Sequence, residues 1–499
     1  MPSRVRSVLI WLRPDLRWLL VLGVIVGALL KVLVATSPAL GHLNSDQAVL
    51  YLTAKHVGHG ELTAWFWGQE YGGSVFQNLL GIVFLVTGAH LWVMPVVLGL
   101  LSSLVPVLTW RVGLAFGFPR QAAAAGALVA VGPPEWLYLG VSSEAFYTVG
   151  LVASLAALLL VVRDGELTQS RAAGIGLATG LAVWASPLSV LTVLPALVLF
   201  LPRLRRERTR LPALVGGLVL GALPDIITTL HRGSLLPPQF GNQTTVALRV
   251  ERAVTDTWTS VFTRFDPSQV ADWLVDRFAV VALLVAVIIG VRALAGTIAD
   301  RQGLATAAVL LPAVLWIPFA VRAHLPSDPP ASRYGVVLLP FLALFAVRYL
   351  RTDTALVGTV LGLALFTTVG LADARHGVPL SAGVMHERDY RLLADDLRAH
   401  GRTAVYADYW ISYRLTAETD ERIVADPPAQ SRHKEYRDAA QHAMFTTAVV
   451  FVDDVNDQKL RAAVGMSSHV QRVVVARFAI FYFDYRTPPL GLDPTANLG

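Results

Sequence analysis

The sequence predicts a polytopic α-helical membrane protein with about eleven transmembrane helices and a C-terminal extracytoplasmic α/β domain. Of its 499 residues, 54% are hydrophobic and only 15% are charged, with a mean hydropathy of +0.55. A soluble domain carries about 25% charged residues. Long apolar runs alternate with short arginine-containing gaps up to residue 373, and the chain then becomes rich in Asp, Arg and His.

Eleven apolar segments are candidates for membrane crossings, because a spanning helix needs about 20 apolar residues. They lie near 18–37, 91–110, 121–139, 145–162, 171–185, 187–201, 211–228, 275–293, 304–321, 334–350 and 355–372. The two segments that flank Pro187 are short and fit either two crossings or one hairpin entering from the cytoplasm. The number of crossings across 171–201 therefore stays open, and residues 1–373 are assigned to the transmembrane module.

The positions of the basic residues indicate the orientation. Arginines concentrate in gaps that share one side of the predicted bundle, such as 4–17 and 203–210, whereas the opposite turns at 140–144 and around Pro187 have none. Since cytoplasmic loops are enriched in Lys and Arg, the N-terminus is predicted to lie in the cytoplasm and the C-terminal domain outside the plasma membrane. The net charge of +6 thus belongs to loops, and no nucleic-acid partner is expected.

Three parts of the chain are predicted to lie outside the membrane, namely 38–90, 229–274 and 374–499. In the first, apolar residues recur near helical spacing from Ser45 to Gly60, which predicts a short helix lying in the membrane surface. The aromatic cluster at 65–67 is typical of the membrane interface.

The same outer loop continues with a glycine-rich turn at 68–73, which allows a tight turn or a close approach of the backbone to a ligand. An apolar stretch at 75–87 predicts a second surface helix. This amount of interfacial structure suits an enzyme that acts on a lipid-linked substrate.

The C-terminal part, 374–499, predicts one small α/β domain. The spacing of leucines predicts a helix over 386–400, and β-branched and aromatic residues predict strands at 403–406, 448–452 and 472–485. It has no glycine-rich phosphate-binding loop, so no nucleotide site is assigned.

Asp46 is the strongest functional candidate, because it follows the first apolar segment where a spanning helix meets water. An ionisable group at such a position indicates a functional site. Two interpretations remain open: a carboxylate that contacts a substrate with its tail in lipid, or an N-cap for a helix opening at Gln47.

Several stretches resemble the GT-C glycosyltransferases of bacteria, in particular the glycosyltransferase 39-like group that includes protein O-mannosyltransferases and aminoarabinose transferases. They are Asn44-Ser45-Asp46-Gln47-Ala48, Gly68-Gln69-Glu70-Tyr71-Gly72-Gly73, Gln77, the run from Ala407 to Leu415, Glu421-Arg422-Ile423-Val424, and Ser332-Arg333-Tyr334. The resemblance covers most of the chain and implies a GT-C fold.

The resemblance implies transfer of a sugar from a polyprenyl-phosphate donor to an acceptor on the outer face of the membrane. Asp46 matches the catalytic acid of the first outer loop, where it would act as general base in an inverting transfer. Relatives often have Asp-Glu at this place, so Gln47 is a departure. Glu144 matches a second acid, although it also fits a dipole-complementing residue at a helix start.

The donor site is predicted around Arg333, Tyr334, Gln69 and Tyr71. An arginine can bind a phosphate bidentately, although Arg333 also fits an interfacial anchor that reaches towards water.

In the outer domain Tyr409, Trp410 and Tyr413 are candidates for acceptor binding by stacking on a sugar, with packing under a helix as the alternative. The acceptor could be a glycan, a lipid or a protein.

No cofactor is firmly predicted, and a divalent cation is left open. His56 and His59 could share a helix face, but a metal site needs a third ligand, so solvated surface histidines are favoured. A transporter or flippase of lipid-linked sugars in envelope biogenesis is the alternative function. Transporters place their charges near the bilayer midplane and often have internal repeats, whereas the acids here lie at the outer surface.

Overall fold

The computed structural model of the chain describes residues 16–37, 43–69, 72–142, 145–232, 335–348, 350, 352–377, 387–465 and 467–487. The predicted crossings at 275–293 and 304–321, and the predicted outer loop beyond residue 232, lie outside these residues.

The described part before residue 378 is helical. Its α-helices are Arg17–Thr36 (α1), Ser45–Gly58 (α2), Val75–Thr87 (α3), Val93–Ser102 (α4), Leu104–Ala115 (α5), Pro119–Val131 (α6), Pro134–Leu139 (α7), Ala145–Val162 (α8), Gln169–Ala185 (α9), Ser189–Arg206 (α10), Leu211–Gly221 (α11), Leu223–Arg232 (α12), Leu339–Val347 (α13) and Asp353–Gly377 (α14).

Four helical segments of the described residues are long and apolar enough to cross a membrane. They are Arg17–Thr36, Val93–Ala115, Ala145–Val162 and Asp353–Ala372. A fifth arises if the pair Arg208–Gly221 and Leu223–His231, bent by 67°, forms one span. The predicted fold class, a polytopic helical membrane protein with a small C-terminal α/β domain, is confirmed. The position of that domain outside the membrane, from which we name it the outer domain, and the total of eleven crossings stay predictions.

The predicted crossing at 121–139 is not one continuous helix. Helix α6 ends at Val131, the short helix α7 begins at Pro134, and Gly132 between them has a φ of +29°. The break follows from Gly132-Pro133-Pro134, since proline has no N–H to donate and its ring clashes with the preceding helical turn.

Helices α1 and α6 approach so closely that glycine is required on α1. A Cβ atom added to Gly27 would lie 2.1 Å from the backbone oxygen of Ala130, and one on Gly23 would lie 2.9 Å from the Cα atom of Ala127. Small residues at helix interfaces in membranes allow such approaches, because association there depends on close van der Waals packing.

Helix α2 lies where the sequence predicts a helix, but the prediction that it lies in the membrane surface is wrong. It packs between α3 and a helix of the outer domain, and its apolar side chains are buried on every side. These include Ala48, Val49, Leu50, Tyr51, Leu52 and Ala54. The run of four consecutive apolar residues at 49–52 explains this, because a helix that is apolar all round is buried rather than amphipathic.

Helix α3 has the character predicted for a second surface helix. Phe76, Leu80 and Phe84 are buried against α2, while Ile82 and Leu85 point outwards and are 61% and 70% exposed. An exposed apolar face of this kind is suited to contact with lipid.

The outer domain contains a five-stranded sheet with helices. Its elements are Glu387–Ala399 (α15), Ala404–Ala407 (β1), Tyr409–Glu418 (α16), Val424–Asp426 (β2), Lys434–His442 (α17), Thr447–Phe451 (β3), Val455–Val464 (α18), Val470–Val475 (β4) and Phe478–Phe483 (β5). The strand order is β2-β1-β3-β5-β4. Strand β1 runs parallel to β2 and β3, and β5 runs antiparallel to β3 and β4.

The predicted strands at 403–406 and 448–452 are confirmed to within one residue. The predicted strand at 472–485 is instead a hairpin of β4 and β5, whose turn contains Ala476 with a φ of +51°. Strand β2 has only three residues and was not predicted. The sheet brings α16 and α17, which follow the parallel strands β1 and β2, to the edge that faces α2.

We expect Gly27→Ala to lower the apparent melting temperature of the purified protein, because the new methyl group meets the backbone of Ala130 and neither helix can yield locally. Overpacking of this kind costs about 1–3 kcal/mol. Thermal unfolding in detergent measures the effect. Gly216→Ala is the matched control, because a Cβ atom there has open space within 4 Å, and an equal loss in both variants would contradict the packing argument.

Candidate active site

Helix α2 begins with a capping box that leaves Asp46 uncommitted to helix capping. The side chain of Asn44 accepts a hydrogen bond from the backbone N–H of Gln47 at 2.8 Å, and the backbone N–H of Asn44 donates to the Gln47 side chain at 3.0 Å. The interpretation of Asp46 as the N-cap of a helix opening at Gln47 is therefore wrong, because Asn44 holds that position.

The capping box also gives a reason for Gln47, the departure from the Asp-Glu pair of the resembling family. The third position of a capping box accepts Gln or Glu, since either side-chain oxygen can reach back to the N-cap N–H. The buried amide of Gln47 thus completes the capping box without placing a charge there.

Asp46 is held by two side chains of the outer domain. The hydroxyl of Tyr409 donates a hydrogen bond to Oδ1 of Asp46, and Nη2 of Arg432 lies 3.5 Å from the same oxygen. Both contacts use Oδ1, and 35% of the Asp46 side chain is exposed. One oxygen is anchored while the second can meet a ligand.

Tyr409 reaches Asp46 because of its place in the outer domain. It is the first residue of α16, directly after the carboxyl end of β1, and the preceding Asp408 caps that helix by accepting from the N–H of Trp410 at 2.9 Å. Ser45 adds a second contact between the two helices, since its Oγ donates to the carbonyl of Tyr409 at 2.5 Å. Burial, and then the nearby Asp46 carboxylate, raise the pKa of Tyr409 well above its ordinary value, so the hydroxyl stays protonated and donates.

Arg432 lies in a pocket built by the first outer loop. Its Nη1 donates to the carbonyl of Trp67 at 3.2 Å and to Oε1 of Gln69 at 3.3 Å. Its guanidinium carbon lies 5.1 Å from the ring centroids of both Phe66 and Tyr409. Aromatic faces attract such a cation, so the pocket fixes the arginine beside Asp46.

Gly68 accounts for the glycine-rich turn at this point. It has a φ of +71°, and a Cβ atom there would lie 2.8 Å from the Cα atom of Arg432. The sequence suggested a close approach of this backbone to a ligand, but at Gly68 the group that approaches is Arg432 of the outer domain. In addition, the backbone N–H of Arg432 donates to the Tyr413 hydroxyl at 2.6 Å.

A second set of contacts lies two to three turns along α2. Nζ of Lys55 lies 2.6 Å from Oδ1 of Asp420 and 2.7 Å from Oε2 of Glu421. Nε2 of His56 lies 2.8 Å from Oε1 of Glu421, and its Nδ1 lies 2.7 Å from Oε2 of Glu61. Asp420 and Glu421 have φ values of +54° and +64°. A positive φ costs energy in residues other than glycine, and the contacts with Lys55 and His56 offset that cost.

The ion pairs of this second set perturb the titration of both partners. Burial alone would raise the pKa of Glu421, but hydrogen bonds from His56, Lys55 and Tyr436 outweigh it and hold that pKa well below its ordinary range. Burial likewise would lower the pKa of His56, and the two carboxylates raise it above its ordinary value. The contacts therefore favour the charged forms of both groups.

The other residues predicted for the site fall into two groups. Among the described residues, Gln69 contacts Arg432, Tyr409 and Tyr413 are buried, and Trp410 is half-buried. Their role in acceptor binding stays a prediction. Glu144, Arg333, Tyr334 and Tyr71 lie outside the described residues.

The structure also places two further acids of the helical part and the two histidines of the predicted helix at 45–60. Glu135 is buried in α7, and Asp225 lies in the first turn of α12. His59 is exposed at the end of α2, but His56 is engaged by two carboxylates, so its prediction as a solvated surface histidine is wrong.

Sequence reasoning missed Arg432 entirely. No local pattern marks it, because it follows the unpredicted strand β2 in an irregular segment before α17. Only the sheet, which sets the residues after β1 and β2 side by side, brings Arg432 to Asp46.

Comparisons with known proteins identify the fold. No family model and no curated protein matches the chain by sequence. Among solved structures, ArnT from Cupriavidus metallidurans bound to undecaprenyl phosphate is similar, with a TM-score of 0.58 and 12% identity over 95% of this chain and 99% of that one. Its apo state gives a TM-score of 0.59 at 12% identity, over 93% and 97% of the two chains.

A mycobacterial arabinofuranosyltransferase, AftD, is also similar, with a TM-score of 0.53 and 15% identity over 93% of this chain and 41% of that chain. These structures share the GT-C membrane architecture. The chain therefore has the GT-C fold, as the resemblance in its sequence implied.

We expect Gly68→Ala to loosen the outer domain from the first outer loop, because the added methyl group meets the backbone and side chain of Arg432. Hydrogen–deuterium exchange of the purified protein over α2, α16 and α17 measures the effect, with faster exchange expected. Gly60→Ala is the control, since Gly60 also has a positive φ (+97°) but a Cβ atom there contacts nothing within 4 Å. Equal sensitivity of the two variants would refute the role of the Arg432 contact.

Proposed function

We propose that the chain is a membrane glycosyltransferase that moves a sugar from a polyprenyl-phosphate donor to an acceptor hydroxyl on the outer face of the cytoplasmic membrane, with Asp46 as general base. The observation that carries the proposal is the Asp46 carboxylate, which Tyr409 and Arg432 hold through Oδ1 while 35% of its side chain stays exposed. The fold is that of ArnT, whose structure contains undecaprenyl phosphate, which supports a lipid-phosphate donor.

The reaction needs one base and no covalent intermediate. The acceptor oxygen forms a bond to the anomeric carbon of the sugar as the bond from that carbon to the phosphate oxygen breaks. The acceptor proton passes to Oδ2 of Asp46, and the polyprenyl phosphate leaves as an anion with the bonding electron pair. Attack opposite the leaving group inverts the configuration at the anomeric carbon.

Tyr409 and Arg432 act as positioning residues in this scheme. The hydroxyl of Tyr409 and the guanidinium of Arg432 hold Oδ1, which fixes the plane of the carboxylate and directs Oδ2. Correct orientation of a base can supply a large part of the rate enhancement.

The donor phosphate requires a cation of its own, since Arg432 is already committed to Asp46, Trp67 and Gln69. We assign this role to Arg333, together with Tyr334 and Tyr71. Glu144 is the proposed second acid, and Tyr409, Trp410 and Tyr413 are the residues proposed for acceptor binding.

We expect Asp46→Asn to lower turnover by about 10²–10⁴-fold, the usual contribution of a general base, because the amide keeps the shape but cannot accept the proton. Consumption of radiolabelled polyprenyl-phosphate sugars by purified protein, with envelope extract as acceptor, measures this. Asp420→Asn is the control, because Asp420 pairs with Lys55 on the same interface and is 62% exposed, where ion pairs contribute little.

Two results would overturn the proposal. If Asp46→Asn consumes donor at the parent rate, the carboxylate only joins the loop to the outer domain. If the parent carries labelled lipid across liposome membranes without consuming it, the chain is a transporter.

Tyr409→Phe distinguishes positioning from proton transfer. We expect a smaller loss of turnover than for Asp46→Asn, with donor binding unchanged, because the base remains but one of its two anchors is removed. Single-turnover rates and donor affinity in detergent measure the two effects separately. Should Tyr409→Phe match the loss in Asp46→Asn, the tyrosine itself would have to take part in the proton transfer.

A further inference from the structure

A cluster of potential metal ligands lies on the outer side of the interface, apart from Asp46. It consists of His56 on α2, Glu61 in the loop that follows, and His433 in the segment before α17. One ligand atom from each residue can be chosen so that all three lie within 4.8 Å of one another. The ligand atoms of a tetrahedral zinc site with bonds of about 2.0–2.2 Å lie about 3.3–3.6 Å apart, so the three side chains would have to adjust by about 1 Å to bind one ion.

The donor set favours a particular class of ion. Two imidazoles and one carboxylate form the three-ligand pattern of zinc sites that keep a fourth position for water. Imidazole ligands suit zinc and its first-row neighbours, whereas magnesium and calcium prefer oxygen ligands. Nδ1 of His56 lies 2.7 Å from Oε2 of Glu61, in a hydrogen bond whose proton the ion would displace, since a ligating imidazole is neutral.

The other nitrogen of His56 has the partner that metal-binding histidines usually have. Nε2 of His56 lies 2.8 Å from Oε1 of Glu421. Glu421 is in turn held by the hydroxyl of Tyr436 at 2.6 Å and by Nζ of Lys55 at 2.7 Å. A carboxylate behind a ligating histidine fixes its tautomer and orientation, and here that carboxylate is itself fixed.

His433 is oriented by aromatic rings. Its ring stacks on Trp67 with centroids 4.1 Å apart and tilts against Tyr436 at 4.4 Å. Within the described residues, Nδ1 of His433 is buried and has no hydrogen-bond partner. Buried polar atoms nearly always have a partner, which can be an ion, and a coordinated cation would supply one.

We propose that His56, Glu61 and His433 bind one zinc-class divalent cation, with Glu421 orienting His56 from behind. The ion would join α2, the loop after it and the segment before α17. His433 directly follows Arg432, so the metal would fix the segment that brings Arg432 to Asp46. The proposal rests on this ligand geometry and does not depend on the glycosyltransferase assignment.

The test is binding of Zn²⁺ alone to the full chain in detergent after removal of metal by a chelator. Calorimetry is expected to give one equivalent, and the metal-loaded protein is expected to melt at a higher temperature than the stripped protein, as binding to the native state requires. Co²⁺ in place of Zn²⁺ should give visible absorption bands typical of a low-coordinate nitrogen and oxygen site.

Variants locate the site. We expect His433→Ala and Glu61→Gln to weaken Zn²⁺ binding at least 100-fold, and Glu421→Gln to weaken it about 10–100-fold, as loss of a supporting residue does. His59→Ala, on the same stretch but exposed and outside the cluster, should bind like the parent. Glu61 is 57% exposed, so Glu61→Gln keeps the test valid if His433→Ala fails to fold.

Two outcomes would overturn the proposal. Less than one equivalent of Zn²⁺ in the stripped and reloaded parent means that no built site exists. Unchanged affinity in Glu61→Gln, with His59→Ala weakened instead, means that the ion binds at the exposed surface.

Discussion

The attachment of the outer domain to helix α2 is the constraint on which the site depends. Asp46 belongs to the membrane part, but its Oδ1 contacts come from Tyr409 and Arg432 in the outer domain. Lys55 and His56 repeat the arrangement further along the same helix, on Asp420 and Glu421. Because α2 is buried between α3 and α16, it can neither rotate nor slide without breaking both sets of contacts.

This arrangement explains why the first outer loop and the outer domain have unusual local features. The positive φ values of Gly68, Asp420 and Glu421 all occur where backbone from one part meets backbone or side chains from the other. Gly68 adopts its conformation without a steric cost, whereas those of Asp420 and Glu421 have a local cost, which the contacts across the interface offset. Part of the backbone strain of the described residues therefore lies at the surface that positions Asp46.

Much of the fold could be predicted from the sequence, because it depends on periodicity and composition over long stretches. Apolar runs located α1, α8 and α14, and alternation with β-branched residues located β1 and β3. The helix at α2 was also predicted, but its burial was not, since the partner that covers its outer side lies more than 350 residues away. A sequence pattern predicts whether a segment is apolar or amphipathic, but it does not predict which distant segment packs on it.

The residues of the candidate site also fall into those that the sequence predicted and those that it did not. Asp46 could be identified because a carboxylate at a membrane edge is unusual in itself, and the family resemblance pointed to the same residue. Arg432 and His433 could not, because they follow a three-residue strand too short to give a pattern. Gln47 was noted as a departure, but its meaning required the reciprocal hydrogen bonds with Asn44.

The separation of Asp46 and Tyr409 along the chain has a consequence for biogenesis. The two residues are 363 positions apart, so a nascent chain that has inserted its first helix contains the carboxylate without its anchors. The chain must complete synthesis of its membrane helices and fold its last domain before the carboxylate is oriented. Chains that end before α16 would contain Asp46 but lack both residues that hold its Oδ1.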